Sequence, residues 1–277
     1  MNKKSRHVQV MGILNVTPDS FSDGGDFFDV SLALARAKGM QKEGVDIIDI
    51  GGQSTRPGAE IISVDEELRR VVPIVKAVRK ALPLVPISVD TNRAIVAEAA
   101  LHAGATMINS LGGFHFDEML AGVVAKARCP IVIYHIKGEP ASMQKGTITY
   151  KNVVRDVDTF FAEQIAIGTK YGVKKNQYIL DPGIGFGKSD EHNIKLIREF
   201  GYFLKWKLPL LIGVSRKSHL GRILQSKLGL KKVPLPTERV EAGLAEAAIA
   251  VQNGASIVRT HDVLATKKFL SMLEECI

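Results

Sequence analysis

The chain has 277 residues, 37 Lys+Arg against 29 Asp+Glu for a formal net charge of +8, 45% hydrophobic residues and 2 Cys. That balance is ordinary for a soluble globular enzyme and excludes a disordered, collagen-like or disulfide-stapled chain. The positive excess admits nucleic acid, an acidic membrane surface or small anions as partners. The densest basic cluster, Lys227 to Lys232, carries no aromatic residues to stack bases, which argues against nucleic acid.

In chain order, β-branched runs alternate with amphipathic segments. Strands are expected at 8–14, 45–50, 84–89, 106–109, 131–134, 177–180, 210–214 and 256–259. Helical periodicity fills the gaps at 32–42, 64–81, 94–102, 119–126, 153–171, 194–203 and 239–253, and a last helix at 263–273 closes the chain. Gly44, Gly104, Gly172 and Gly254 each stand between a helix and the next strand, where a helix stop belongs. Eight such units with no composition break predict one domain over residues 1–277, an α/β fold of the (β/α)₈ barrel type. An open doubly wound sheet would want a Gly-rich phosphate turn after the first strand, and Asn15 to Gly25 is a long polar loop instead.

Cys129 and Cys276 are too distant for a disulfide framework or zinc site and read as buried thiols in a cytoplasmic protein. No apolar run approaches the roughly 20 residues of a membrane span. The basic start at residues 1–6 leads into a run too short for a signal peptide, so residues 8–14 are read as the first strand.

In a barrel of this type chemistry sits at the C-terminal ends of the strands. The residues there are Asn15, the run Gly51 to Gly58 with Arg56, Asp90, Asn109, His135 and Lys137, Asp181 to Lys188, Ser215 to Ser218, and Arg259 to His261. Asp90, Asn109 and Asp181 form an acidic half suited to the N–H edge of a planar heterocycle. Lys217, Arg259 and His261, with Asn15 and Arg56, form a basic half suited to a phosphate or diphosphate. Capping of the following helices is the simpler reading for Asp90 and Asp181 taken singly. His135 and His261 lack companions at metal-ligand spacing, and His102, His192 and His219 read as surface residues. Gly183 to Ser189 fails both nucleotide-loop patterns; its glycines turn the backbone at the rim and let Phe186 project over the mouth. The Ala-rich segment Glu241 to Ala250 suits close helix packing, either on another subunit or on its own barrel.

Five motifs in order, Gly12 to Gly24, Asp49 to Gly58, Ile87 to Thr91, Asp181 to Lys188 and Gly213 to Ser218, followed by Arg259 and His261, resemble the dihydropteroate synthase family. The resemblance implies a transferase of folate biosynthesis that joins 6-hydroxymethyl-7,8-dihydropterin diphosphate to 4-aminobenzoate and releases pyrophosphate, with Mg²⁺ as cofactor. By motif, Asp90, Asn109, Asp181, Lys217 and Arg259 would hold the pterin. Asn15 would meet the metal and, with Arg56, Arg259 and His261, the diphosphate. Thr55, Pro57, Phe186, Lys217 and Ser218 would surround the aminobenzoate. Lys217, Arg259, His261 and Arg56 would carry the catalytic charges, and closure of the loops 15–29 and 53–63 would exclude water. The resemblance also suggests a homodimer through outer helices near the C-terminus.

Two positions depart from the family pattern: Gln53 stands where Glu is usual, and Ser110 where Asp is frequent, removing a carboxylate expected near the pterin. A pterin-binding methyltransferase domain shares the barrel and pterin pocket but has no use for the Ser-Arg-Lys-Ser and Arg-Thr-His donors. A non-catalytic pterin-binding homologue would tolerate Gln53 and Ser110, but it does not require an intact cationic half.

Overall fold

The computed structural model of the chain describes residues 7–16, 30–54, 58, 61–144 and 146–276. Eight parallel strands form the sheet: β1 (Gln9–Asn15), β2 (Ile47–Gly51), β3 (Ile87–Asp90), β4 (Met107–Leu111), β5 (Ile131–Tyr134), β6 (Tyr178–Asp181), β7 (Leu211–Ile212) and β8 (Ile257–Thr260). Their order, β6-β5-β4-β3-β2-β1-β8-β7, is that of a barrel. The ring closes between β6 and β7 through one parallel bridge, Leu180 to Leu210, with the Leu180 N–H donating to the Pro209 carbonyl at 3.0 Å.

The helices are α1 (Val30–Lys42), α2 (Val64–Ala81), α3 (Ala94–His102), α4 (Met119–Ala127), α5 (Val153–Lys170), α6 (Asp190–Arg198), α7 (Ser218–Leu228), α8 (Val240–Gln252) and α9 (Val263–Cys276). The apolar residues of β1 that face outward, Val10 and Leu14, and those of the helices' inner faces, such as Val71, Ile74 and Val78 of α2, share one continuous buried cluster. A second cluster, Met11, Ile47, Met107, Val132, Ile179, Leu211 and Ile257, is contributed by seven different strands and fills the barrel interior. Gly44, Gly104, Gly172 and Gly254 hold φ between 89° and 113°, the helix-to-strand turn that a side chain resists.

Strands β1, β2, β3, β6 and β8 run one residue further than expected, because Asn15, Gly51, Asp90, Asp181 and Thr260 remain in the ladder despite their chemistry. Helix α7 is absent from the sequence reading. Its inward face presents His219, Leu220 and Gly221, so no continuous apolar stripe marks it. The expected helix at 194–203 is instead α6, capped by Ser189, followed by a 3₁₀ segment at Phe200–Trp206. Helix α8 turns Gly243, Ala247, Ala250 and Val251 inward onto its own barrel.

Candidate active site

Side chains alternate faces along a strand, so the residue two beyond each interior apolar residue also points inward, one layer nearer the C-terminal mouth. From Met11, Ile47, Met107, Val132, Ile179, Leu211 and Ile257 that step reaches Ile13, Asp49, Asn109, Tyr134, Asp181, Gly213 and Arg259. On β3 the same step leads from buried Ser88 to Asp90. One rung thus changes the interior from an apolar plug to a polar floor. Above it lies a cavity of about 430 Å³ lined by Asn15, Gln53, Asp90, Asn109, Tyr134, Asp181, Phe186, Lys217, Ser218, Arg259 and His261, among others. Its volume suits a small-molecule ligand.

The floor is a charge-paired network. Arg259 Nε donates to Asp49 Oδ2 at 2.7 Å and Nη2 to Asp90 Oδ2 at 2.8 Å. Asn109 Nδ2 donates to Asp49 Oδ2 at 3.0 Å, and the Tyr134 hydroxyl donates to Asp90 Oδ1 at 2.8 Å. Burial pushes the Asp90 carboxyl up to about 7, opposed by the Arg259 charge and reinforced by Asp49. Asp49 Oδ1, Asn109 Oδ1 and Gln53 Oε1 are buried without a hydrogen-bond partner. Buried acceptors left unmatched are costly, and of these three residues Asn109 and Gln53 line the cavity, where the N–H groups of a ligand would complete them.

The wall after β6 is built by close backbone approach. Gly183 and Gly187 have φ of 69° and 61°, and a Cβ on either would overlap a carbonyl oxygen, of His135 and Lys137 respectively. The Gly183 N–H donates to Asp181 Oδ1 at 2.7 Å, fixing the carboxylate. Burial pushes Asp181 up to about 6, against that hydrogen bond and the Lys217 charge. Beneath the loop, the Lys188 ammonium is buried; it donates to the Gly183 and Phe186 carbonyls at 2.8 and 3.0 Å and meets His135 Nδ1 at 2.8 Å. Burial holds the Lys188 and His135 pKa values well below their ordinary ranges.

The opposite wall is cationic. Lys217 Nζ sits 3.9 Å from the centre of the Phe186 ring, a cation–π contact at the mouth. Burial and the neighbouring Arg259 bring its ammonium down to about 8, while Asp181 and Asp90 favour the charge. Arg216, at φ 59°, pairs with Asp262 through Nε at 3.0 Å. The Ser215 hydroxyl lies 3.0 Å from His261 Nδ1 and accepts the His261 N–H at 3.1 Å, tying the loop after β7 to the end of β8. Arg239 joins this side, its Nη1 donating to the Arg216 carbonyl at 3.1 Å.

The structure brings together Asn15, Asp90, Asn109, Asp181, Phe186, Lys217, Ser218, Arg259 and His261, all expected from sequence. Thr55, Arg56 and Pro57, and most of the two expected closing loops, lie outside the described residues. Asp90 and Asp181 cap nothing: Arg93 and Ser189 occupy the N-cap positions of α3 and α6. Ser110 is not beside the pocket. It faces away from the interior, its hydroxyl donating to the Gly113 carbonyl at 2.6 Å.

Asp49 and Tyr134 escaped the sequence reading, which placed strand-5 chemistry at His135 and Lys137. Those two fall on or beyond the outer face: His135 packs edge-on against Phe160 of α5 at 5.0 Å, and Lys137 covers the Tyr150 ring at 4.3 Å. Counting in twos from Val132 would have found Tyr134. His219 is buried, not a surface residue, with Nε2 2.9 Å from Glu246 of α8. His192 is half-buried and completes the capping box with Ser189, while Cys276 is exposed rather than buried.

Residues 11–261 match the family described as pterin binding enzyme. The chain is 47% identical over 258 residues to a dihydropteroate synthase of Synechocystis sp., covering 93% of this chain and 86% of that protein. It is 42% identical over 268 residues to the dihydropteroate synthase of Escherichia coli, covering 97% and 91%. Among solved structures, a Yersinia pestis dihydropteroate synthase with a sulfonamide drug superposes with a TM-score of 0.89 at 40% identity, covering 98% and 95% of the two chains. The Xanthomonas albilineans dihydropteroate synthase in complex with 7,8-dihydropteroate superposes with a TM-score of 0.84 at 35% identity, covering 98% and 94%. With one polar cavity at the barrel mouth and matches of this extent, the chain belongs to the pterin-binding enzyme family, in its dihydropteroate synthase branch.

Proposed function

We propose that the chain condenses 6-hydroxymethyl-7,8-dihydropterin diphosphate with 4-aminobenzoate, releasing pyrophosphate. The observation that carries this reading is one cavity with carboxylates and an amide in its floor and cations along one wall. Asp90, Asn109 and Asp181 accept the N–H edge of the pterin, and the Arg259 guanidinium, fixed by Asp49 and Asp90, stacks on its face. Arg56, Arg259 and His261 hold the diphosphate. Phe186, Lys217 and Ser218, with Thr55 and Pro57, surround the aminobenzoate, whose carboxylate lies near the N-terminus of α7 at Ser218.

The reaction breaks the methylene C–O bond, and the electron pair leaves with pyrophosphate. The positive charge on the methylene carbon spreads into the dihydropterin ring; the arylamine lone pair then forms the C–N bond and the nitrogen loses one proton. The cationic wall stabilises the departing anion, and loop closure keeps water from the carbocation. The donor chemistry fits Mg²⁺: among the described residues no cluster of three acidic, His or Cys side chains exists to bind a metal tightly, but Asn15 offers an oxygen at the cavity wall. Asn15 would hold such an ion together with the oxygens of the bound diphosphate. When bound it supplies charge neutralisation to the leaving group.

A methyltransferase reading has no use for the Lys217, Arg259 and His261 wall. The chain also works as a homodimer in the cytoplasm on this proposal, supported by the exposed Leu228, Leu230, Val233 and Leu235 beside α7 and by cysteines left as free thiols. Sedimentation at micromolar concentration reads the first point. The activity test is dihydropteroate formation from the two substrates with Mg²⁺, lost on chelation and reduced by about 10²-fold or more in Lys217→Ala. Tight pterin binding without product would identify a non-catalytic homologue.

A further inference from the structure

We propose that Tyr134 is a positioning residue for the pterin: its hydroxyl locks the Asp90 carboxylate in the rotation that receives the ligand, while its ring forms the wall shared with the second substrate. This rests on the pterin reading of the cavity given above.

Each oxygen of Asp90 has its own donor. Oδ2 accepts from Arg259 of β8 and Oδ1 from Tyr134 of β5, so the carboxylate of β3 is gripped from opposite sides of the barrel mouth. With only the Arg259 contact, the plane of the carboxylate would be free to turn about χ2, a broad torsion in Asp. The Tyr134 donor removes that freedom at a group sunk 8% exposed into the floor, beside the second carboxylate, Asp49. A hydroxyl-to-carboxylate hydrogen bond of this kind is among the stronger ones.

The ring acts separately from the hydroxyl. It lies 5.3 Å from the Phe186 ring, tilted by 58°, and belongs to the small apolar cluster of Leu111, Ile136, Met143 and Phe186. Phe186 in turn carries the Lys217 ammonium on its other contact. One side chain therefore touches both halves of the site. Its polar end serves the heterocycle and its apolar body serves the aminobenzoate wall. These two effects can be separated by substitution.

Tyr134→Phe deletes the hydroxyl and keeps the ring. In the full chain it is expected to raise KM for the dihydropterin diphosphate about tenfold and to weaken calorimetric binding of 6-hydroxymethylpterin by the same factor. KM for aminobenzoate and kcat at saturation stay near wild type, and the unfolding midpoint falls by only a few degrees, the cost of leaving Asp90 Oδ1 without its donor. Tyr134→Leu removes the ring as well and is expected to raise KM for both substrates. Equal pterin affinity in wild type and Tyr134→Phe overturns the assignment, as does a parallel change of both KM values with the unfolding midpoint, which marks general loosening. A wild-type chain that binds the pterin but forms no dihydropteroate refutes the proposed reaction instead, and the pterin affinities still decide the role of Tyr134.

Discussion

Replacing Lys188 with Met removes an ammonium that touches no substrate, yet it is expected to damage both stability and substrate binding. An ammonium has three N–H donors, and three close acceptors receive them: the Gly183 carbonyl, the Phe186 carbonyl and His135 Nδ1, at 2.8, 3.0 and 2.8 Å. Methionine keeps the apolar stem in a site where Lys188 is 1% exposed, but it leaves the Phe186 carbonyl and His135 Nδ1 without a donor, and the Gly183 carbonyl with the Phe186 N–H at 3.2 Å alone. Each buried unmatched acceptor costs about 1–3 kcal/mol. Release from burying a charge offsets part of that sum, because removing a well-solvated partner and removing a desolvated one differ. The balance is about 2–4 kcal/mol, or a fall in unfolding midpoint of roughly 3–7 °C for a domain of this size. Because the same loop supplies the Gly183 N–H to Asp181 and carries Phe186, KM for both substrates rises with the loss. Differential scanning calorimetry and steady-state kinetics read the two effects. A Met variant that melts within about 1 °C of wild type and keeps both KM values refutes the claim that the ammonium holds the loop.

Burial raises Asp90 to about 7 and Asp181 to about 6, so between roughly pH 4 and pH 7 the folded chain holds more protons than the unfolded one, and this contribution to stability falls as pH rises. Pterin recognition uses the ionised carboxylates and strengthens over the same interval; the thermal shift produced by a pterin should be larger at pH 8 than at pH 5.5. Lys217, brought down to about 8, loses its charge above that value, so affinity for the aminobenzoate carboxylate, measured by calorimetry, should weaken from pH 8 to pH 9.5. Gly183→Ala would drive a methyl group into the His135 carbonyl from a left-handed backbone, and a loss of roughly 2–4 kcal/mol in a denaturant titration is expected, with no loss refuting the close approach.

The barrel and most of its site residues are legible in the sequence because both follow from counting. Buried runs of four or five residues alternate with helical stripes, and Gly44, Gly104, Gly172 and Gly254 punctuate them. Asp90, Asn109, Asp181 and Arg259 announce themselves as polar groups at the ends of apolar strands. Tyr134 does not, because an aromatic residue in a strand looks like core, and its hydroxyl reveals a role only when Asp90 is placed 2.8 Å away. Asp49 was hidden for the opposite reason: it lies inside β2 before the conspicuous glycines and arginine of the loop. Helix α7 and the His219–Glu246 contact are tertiary facts. A histidine on an inward face reads as polar until its glutamate arrives from a helix that lies well beyond it in sequence.

The ring of strands is unequally fastened. Its other neighbours share two to five registered residue pairs, whereas β6 and β7 meet at the Leu180–Leu210 bridge alone. Asp181 caps one lip of that seam, and Lys217 rises from the loop beyond the other. A ligand held by both lips is a clasp across the least-stitched join of the cylinder. Occupancy should therefore slow amide exchange at Leu180, whose N–H spans the gap, more than at Ile48, whose N–H donates to the Pro86 carbonyl on the closely paired side.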